Sequence, residues 1–81
     1  MRQKMPKTVI TFSTTSDAMA FEAASRKDPE ALPGRIIPVP SEISAGCGLS
    51  WAAPEEDRET LLAGIADKGL AYEGVFAVEM Y

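Results

Sequence analysis

The sequence predicts an α+β fold of β-α-β-β-α-β order, with one four-stranded antiparallel sheet and both helices on one face. Three observations carry this. Runs at 7–12, 35–39 and 72–81, rich in β-branched and aromatic residues, read as strands, as does 47–52, where Leu49 and Trp51 face one way. Two stretches of good helix formers, 17–27 and one opening at Pro54, lie between them. The chain is 81 residues long, enough for one small domain.

Each element has its own local justification. In the first strand Thr8, Ile10 and Phe12 share a face. The turn Ser13-Thr14-Thr15-Ser16-Asp17 that follows is dense in helix N-cap residues, and Thr14 and Asp17 have capping-box spacing. Asp28-Pro29 ends the first helix, since the residue before proline resists helical geometry. Pro33-Gly34 reads as a type II turn into the second strand. Pro38 cannot donate to a ladder, so that strand belongs at an edge. The third strand places Leu49 and Trp51 on one side. Pro54 is read as the first residue of the second helix, with Glu55, Glu56 and Asp57 at its positive end. Leu61, Leu62, Ile65 and Ala66 form its apolar stripe, and Gly69 caps it. In the last strand Tyr72, Phe76, Val78 and Met80 share a parity. This order is the ferredoxin-like split βαβ, a βαββαβ sandwich in which strands 1 and 3 are central and 2 and 4 are edges.

Composition narrows the function. With 8 Lys+Arg against 12 Asp+Glu, the net charge is −4. Nucleic acids and anionic membranes both require clustered positive charge, so neither is an expected partner. No stretch has the length and apolarity of a membrane span. The chain has no His, no Asn and one Cys. An internal disulfide, a structural zinc site, a Cys–His dyad and a Ser–His–Asp triad are therefore all excluded within it. No cofactor and no metal are expected. A lone thiol with no export signal at the start of the sequence fits the cytoplasm.

The chemistry-bearing stretch is 38–50. Gly46 and Gly48 flank Cys47, so both sides of the sulfur are stripped of side chain and the backbone can form an anion-facing nest. The alternative is a small apolar residue opening a buried strand, a common place for cysteine. Topology adds to the first reading. The loop after the first strand and the loop between the second and third lie at one end of the sheet. Cys47 is thus expected beside Thr14, Thr15 and Ser16 at the start of the first helix, where free N–H groups and the helix dipole favour an anion. Each of these hydroxyl residues taken alone is more simply a cap. An accessible, nucleophilic thiol is expected there, with Glu42 the nearest acid in sequence.

Residues 11–22, 33–40 and 43–50 together resemble the selenium/sulfur (Se/S) carrier protein-like family of small single-domain proteins. Pro38-Val39-Pro40 and Cys47-Gly48 are the most specific parts, with Phe12, Ala18 and Glu22 matching more weakly. Such families often have a polar or His-containing turn after the first strand, and here that turn has no His. The resemblance implies a carrier, rather than a stand-alone enzyme, whose Cys47 holds sulfur or selenium as a persulfide or selenosulfide. Its partners would be a donor such as a cysteine desulfurase and an acceptor enzyme. Residues 1–6 are then a flexible N-terminus and 7–81 the single carrier-like domain.

Other occupants of the same fold fit less well. A metal chaperone would place a Cys-x-x-Cys pair after the first strand, and an acylphosphatase-like enzyme would need Arg there and Asn elsewhere. A ligand-binding or dimerising module with a structural Cys47 stays open, as does a homo-oligomer.

Overall fold

The computed structural model describes residues 5–26, 32–43 and 46–80. The elements run β1 (Met5–Thr11), α1 (Thr15–Ser25), β2 (Arg35–Pro38), β3 (Leu49–Pro54), a 3-10 turn (Glu55–Asp57), α2 (Arg58–Lys68) and β4 (Gly74–Met80). The strands form one antiparallel sheet in the order β2-β3-β1-β4. The expected α+β order and the central places of β1 and β3 are therefore observed.

β1 starts at Met5, two residues earlier than the strand propensity marked, because Met5 and Pro6 pair with Met80 and Glu79. Residues 1–4, expected to be flexible, lie outside the described residues, as does the Asp28-Pro29 stop. β2 is short and ends at Pro38, as an edge strand bearing proline should. Its entry turn holds Gly34 at φ +108, a conformation in which a side chain would be strained. There the Trp51 indole N–H donates to the Pro33 carbonyl at 2.8 Å, which satisfies the polar end of a residue only 3% exposed.

α1 is capped as its spacing implied. The Thr14 hydroxyl accepts from the Asp17 N–H at 3.1 Å. α2 ends at Gly69, which is left-handed at φ 64, and the Leu70 N–H returns to the Ile65 carbonyl at 3.1 Å. The start of α2 differs from expectation. Pro54 closes β3, opposite Lys7, and the acidic residues form a 3-10 turn before the helix proper. One reason is tertiary: Glu55 is drawn onto the sheet, where its carboxylate accepts from the Thr8 hydroxyl at 2.9 Å.

Both helices cover the same face of the sheet. Ile10 and Phe12 from the β1 side, Trp51 and Ala53 from β3, Ala18 and Phe21 from α1, and Leu61 and Ile65 from α2 form one core. The Phe21 ring lies 5.1 Å from both Phe12 and Trp51, in tilted or edge geometry. Within the α2 stripe only Leu61 and Ile65 are fully buried; Leu62 is half-buried and Ala66 is exposed. The opposite face carries a smaller cluster of Val9, Ala52 and Ile43, the last reaching in from the β2–β3 loop. Phe76 and Val78 belong to this second face, because they pair with Val9 and Lys7.

Phe21 joins three elements of a thin core. Phe21→Ala should cost about 3–5 kcal/mol, against a total of about 4–12 kcal/mol for a domain of this length at ~0.05–0.15 kcal/mol per residue. Urea unfolding should show a large fall in the midpoint. Thr14→Ala should cost about 0.5–2 kcal/mol and Thr15→Ala clearly less, since only Thr14 makes the cap.

Candidate functional site

The site is assembled at one end of the sheet. β1 ends at Thr11, which pairs with Ser50 of β3 on one side and Gly74 of β4 on the other. The turn into α1, the end of the β2–β3 loop and the lead into β4 therefore meet there. Val39 N–H donates to the Gly48 carbonyl at 3.0 Å and closes the base of the loop.

Cys47 lies in this loop, two residues before β3, rather than on the strand where it was expected. A local interaction holds it back. Its sulfur accepts from the Leu49 backbone N–H at 3.2 Å, a turn-like side-chain to backbone bond that starts the strand at Leu49. The Leu49 carbonyl lies 3.7 Å from the same sulfur. The Thr15 hydroxyl, in the first residue of α1, is 3.8 Å from Sγ. The loop and the helix start thus meet as the topology required.

Not every residue grouped with the cysteine touches it. Thr14 is committed to its cap, and Ser16 is exposed with no hydrogen bond to the sulfur. The two glycines act differently. A Cβ on Gly46 would stand 2.7 Å from the Ser13 carbonyl oxygen, so this position must lack a side chain for the loop to seat. A Cβ on Gly48 would meet nothing within 4 Å. Gly48 is exposed and leaves open space on its side of the cysteine.

Two features escaped the sequence reading. One is the Leu49 N–H. The other is Glu73, whose carboxylate accepts from the Gly46 N–H at 3.4 Å while its own N–H donates to the Thr11 carbonyl at 2.6 Å. Glu73 was legible in principle, since it precedes a strand that starts where β1 ends. Glu42, the nearer acid in sequence, is exposed and makes no such bond. The expectation of an accessible thiol also needs correction. Cys47 is 7% exposed and joins the main core, because its side chain turns inward under Thr15.

Among the described residues no group of three His, Cys, Asp or Glu side chains is placed to hold a metal ion. No helix among them is long and apolar enough to cross a membrane. Comparison with known proteins adds one finding: residues 7–77 match the family described as putative Se/S carrier protein-like. The chain belongs to that family. No curated protein and no solved structure matches it significantly. The match spans both the α1 turn and the cysteine loop, so the whole site lies inside the family domain.

The two glycines should separate experimentally. Gly46→Ala should cost about 1–3 kcal/mol, the usual penalty for forcing atoms into a packed site. Gly48→Ala should stay within about 0.5 kcal/mol, as for a surface change. Thermal melts of the two variants beside the parent check this; equal losses would contradict the placement of the loop against Ser13.

Proposed function

We propose that Cys47 is the atom on which this Se/S carrier family member holds its cargo. The observation that carries the reading is the sulfur lying 3.8 Å from the Thr15 hydroxyl at the N-terminus of α1. The Ala18 N–H is taken by the Thr14 carbonyl at 3.2 Å and the Asp17 N–H by the Thr14 hydroxyl. The N–H groups of Thr15 and Ser16 have no acceptor within the helix, and they lie at its positive end. An anionic outer sulfur or selenium attached to Cys47 would find donors there.

The proposed loading step is an exchange. The Cys47 thiolate attacks the outer sulfur of a persulfide on the donor enzyme. The donor's S–S bond breaks, the donor cysteine leaves as a thiolate, and a new S–S bond forms on Cys47. Delivery to an acceptor thiolate is the same step in reverse roles, and no net oxidation occurs. The open side at Gly48 is the approach the donor would use. A reducing compartment such as the cytoplasm would keep the unloaded thiol free.

The 7% exposure of Cys47 favours a second reading, a binding module with a structural cysteine. One experiment separates the two. The protein is incubated with a cysteine desulfurase and cysteine, and its intact mass is measured without reductant. A gain of one sulfur atom, absent from Cys47→Ser, is expected, with shorter retention of the adduct in Thr15→Val. No adduct on the folded protein, together with resistance to alkylation until unfolding, would leave the structural reading in place.

A further inference from the structure

The place of Cys47 and the task proposed for it pull in opposite directions. Its side chain is 7% exposed, yet Gly46 and Gly48 on either side of it are exposed. A thiolate that attacks a persulfide must reach the donor's outer sulfur. The flanking glycines carry no side chain to cover the cysteine, so a short outward movement of 46–48 would bare it. Whatever fastens this segment therefore sets how often the sulfur is presented.

The fastenings differ in kind. After the cysteine, the Gly48 carbonyl accepts from the Val39 N–H at 3.0 Å, next to the β2–β3 pair of Pro38 and Leu49. Before it, Ile43 is buried in the small cluster on the open face. Releasing the first disturbs the sheet, and releasing the second exposes an apolar side chain. The bond at Gly46 is of another sort. Its N–H donates to a carboxylate oxygen of Glu73 at 3.4 Å, and both residues are exposed. The Glu73 backbone is seated on the sheet: its N–H donates to the Thr11 carbonyl at 2.6 Å, and Gly74 after it pairs with Thr11. Its side chain can rotate into water without breaking a ladder bond or exposing an apolar group, and water then satisfies both partners. On its other side Gly46 abuts the Ser13 carbonyl, which bounds the segment there.

We propose that Glu73 is a positioning residue for Cys47: its carboxylate holds the Gly46 amide and keeps the cysteine turned in, and loss of that bond presents the thiol. The functional meaning of this control rests on the reading of Cys47 as the cargo-bearing atom; the control itself does not. A single exposed hydrogen bond shifts an equilibrium only a few-fold. The segment therefore opens readily, while the sulfur spends most of its time beside Thr15. A persulfide exchanges with thiolates that reach it, so time spent covered serves a carrier travelling between donor and acceptor.

Alkylation of Cys47 by iodoacetamide in the native protein tests this, with Glu73→Ala and Glu73→Gln beside the parent. Alanine removes the acceptor, whereas the glutamine amide oxygen keeps one. Both variants lose the same negative charge, so the difference between them isolates the hydrogen bond. Glu73→Ala should react about two- to twelvefold faster than the parent, the range that one net hydrogen bond represents. Glu73→Gln should lie nearer the parent. The rates should be insensitive to low concentrations of urea, since opening 46–48 exposes little surface, whereas reaction through global unfolding would climb steeply. Equal rates in Glu73→Ala and the parent, equal acceleration in both variants, or rates that climb with urea as global unfolding does would overturn the proposal. Amide hydrogen exchange on the wild type is independent of how the variants fold. The Gly46 N–H should be protected relative to an unstructured peptide, and exchange at the unprotected rate would equally overturn it. Incubation with a cysteine desulfurase and cysteine keeps the two readings apart. A parent that gains no sulfur while the alkylation pattern holds would remove the carrier reading and support the positioning role. Sulfur uptake that is lost in Cys47→Ser, with no difference between Glu73→Ala and Glu73→Gln in alkylation, would do the reverse.

Discussion

The antiparallel pairing of β1 with β3 is the constraint on which the rest of the molecule depends. Its register sets Ile10 opposite Trp51 and Thr11 opposite Ser50. A slip of β3 by one residue would turn Trp51 away from the helices and remove one of the rings that hold Phe21, while Ile10 would keep its face and lose its partner. The same register places the end of β1 beside the start of β3. The hydroxyl-rich turn and the cysteine loop are thus neighbours because the two central strands are antiparallel. The site is a consequence of how the core is paired.

Much of this was legible because it rests on local chemistry. Thr14 caps α1 for the reason its hydroxyl and the Asp17 spacing imply, and Pro38 sits where a missing N–H costs least. The meeting of the turn with Cys47 followed from the chain order alone. What stayed hidden depends on tertiary competition. Nothing in Gly-Cys-Gly-Leu-Ser-Trp distinguishes a strand that starts at Cys47 from one that starts at Leu49; the sulfur–amide bond decides it. Glu55 is a good helix starter by sequence, yet a buried threonine hydroxyl on β1 claims its carboxylate. The inward turn of Cys47 likewise reflects the space left by the helix start, which no local pattern encodes.

The cysteine loop is bound to both faces of the sheet. Ile43 is buried in the small cluster on the open face, while Cys47 belongs to the helix-covered core. Between the loop and β4, Glu73 couples the Gly46 amide to the end of β1 through two hydrogen bonds. The position of the sulfur is therefore set by three strands and a helix at once.

A site without histidine is consistent with the exchange proposed for Cys47. General-base catalysis matters when a neutral nucleophile must lose a proton as it attacks. In thiolate–persulfide exchange an anion attacks and an anion leaves, so the charge in the site stays the same while it moves along a line of sulfurs. What such a reaction asks of the protein is steady support for one negative charge at changing positions. The backbone N–H of Leu49 and the first turn of α1 are donors fixed by the fold, and neither has to give up a proton. The hydroxyl of Thr15 can turn its hydrogen toward whichever sulfur bears the charge. The donors around Cys47 are thus ones that passing a sulfur atom between thiolates would use.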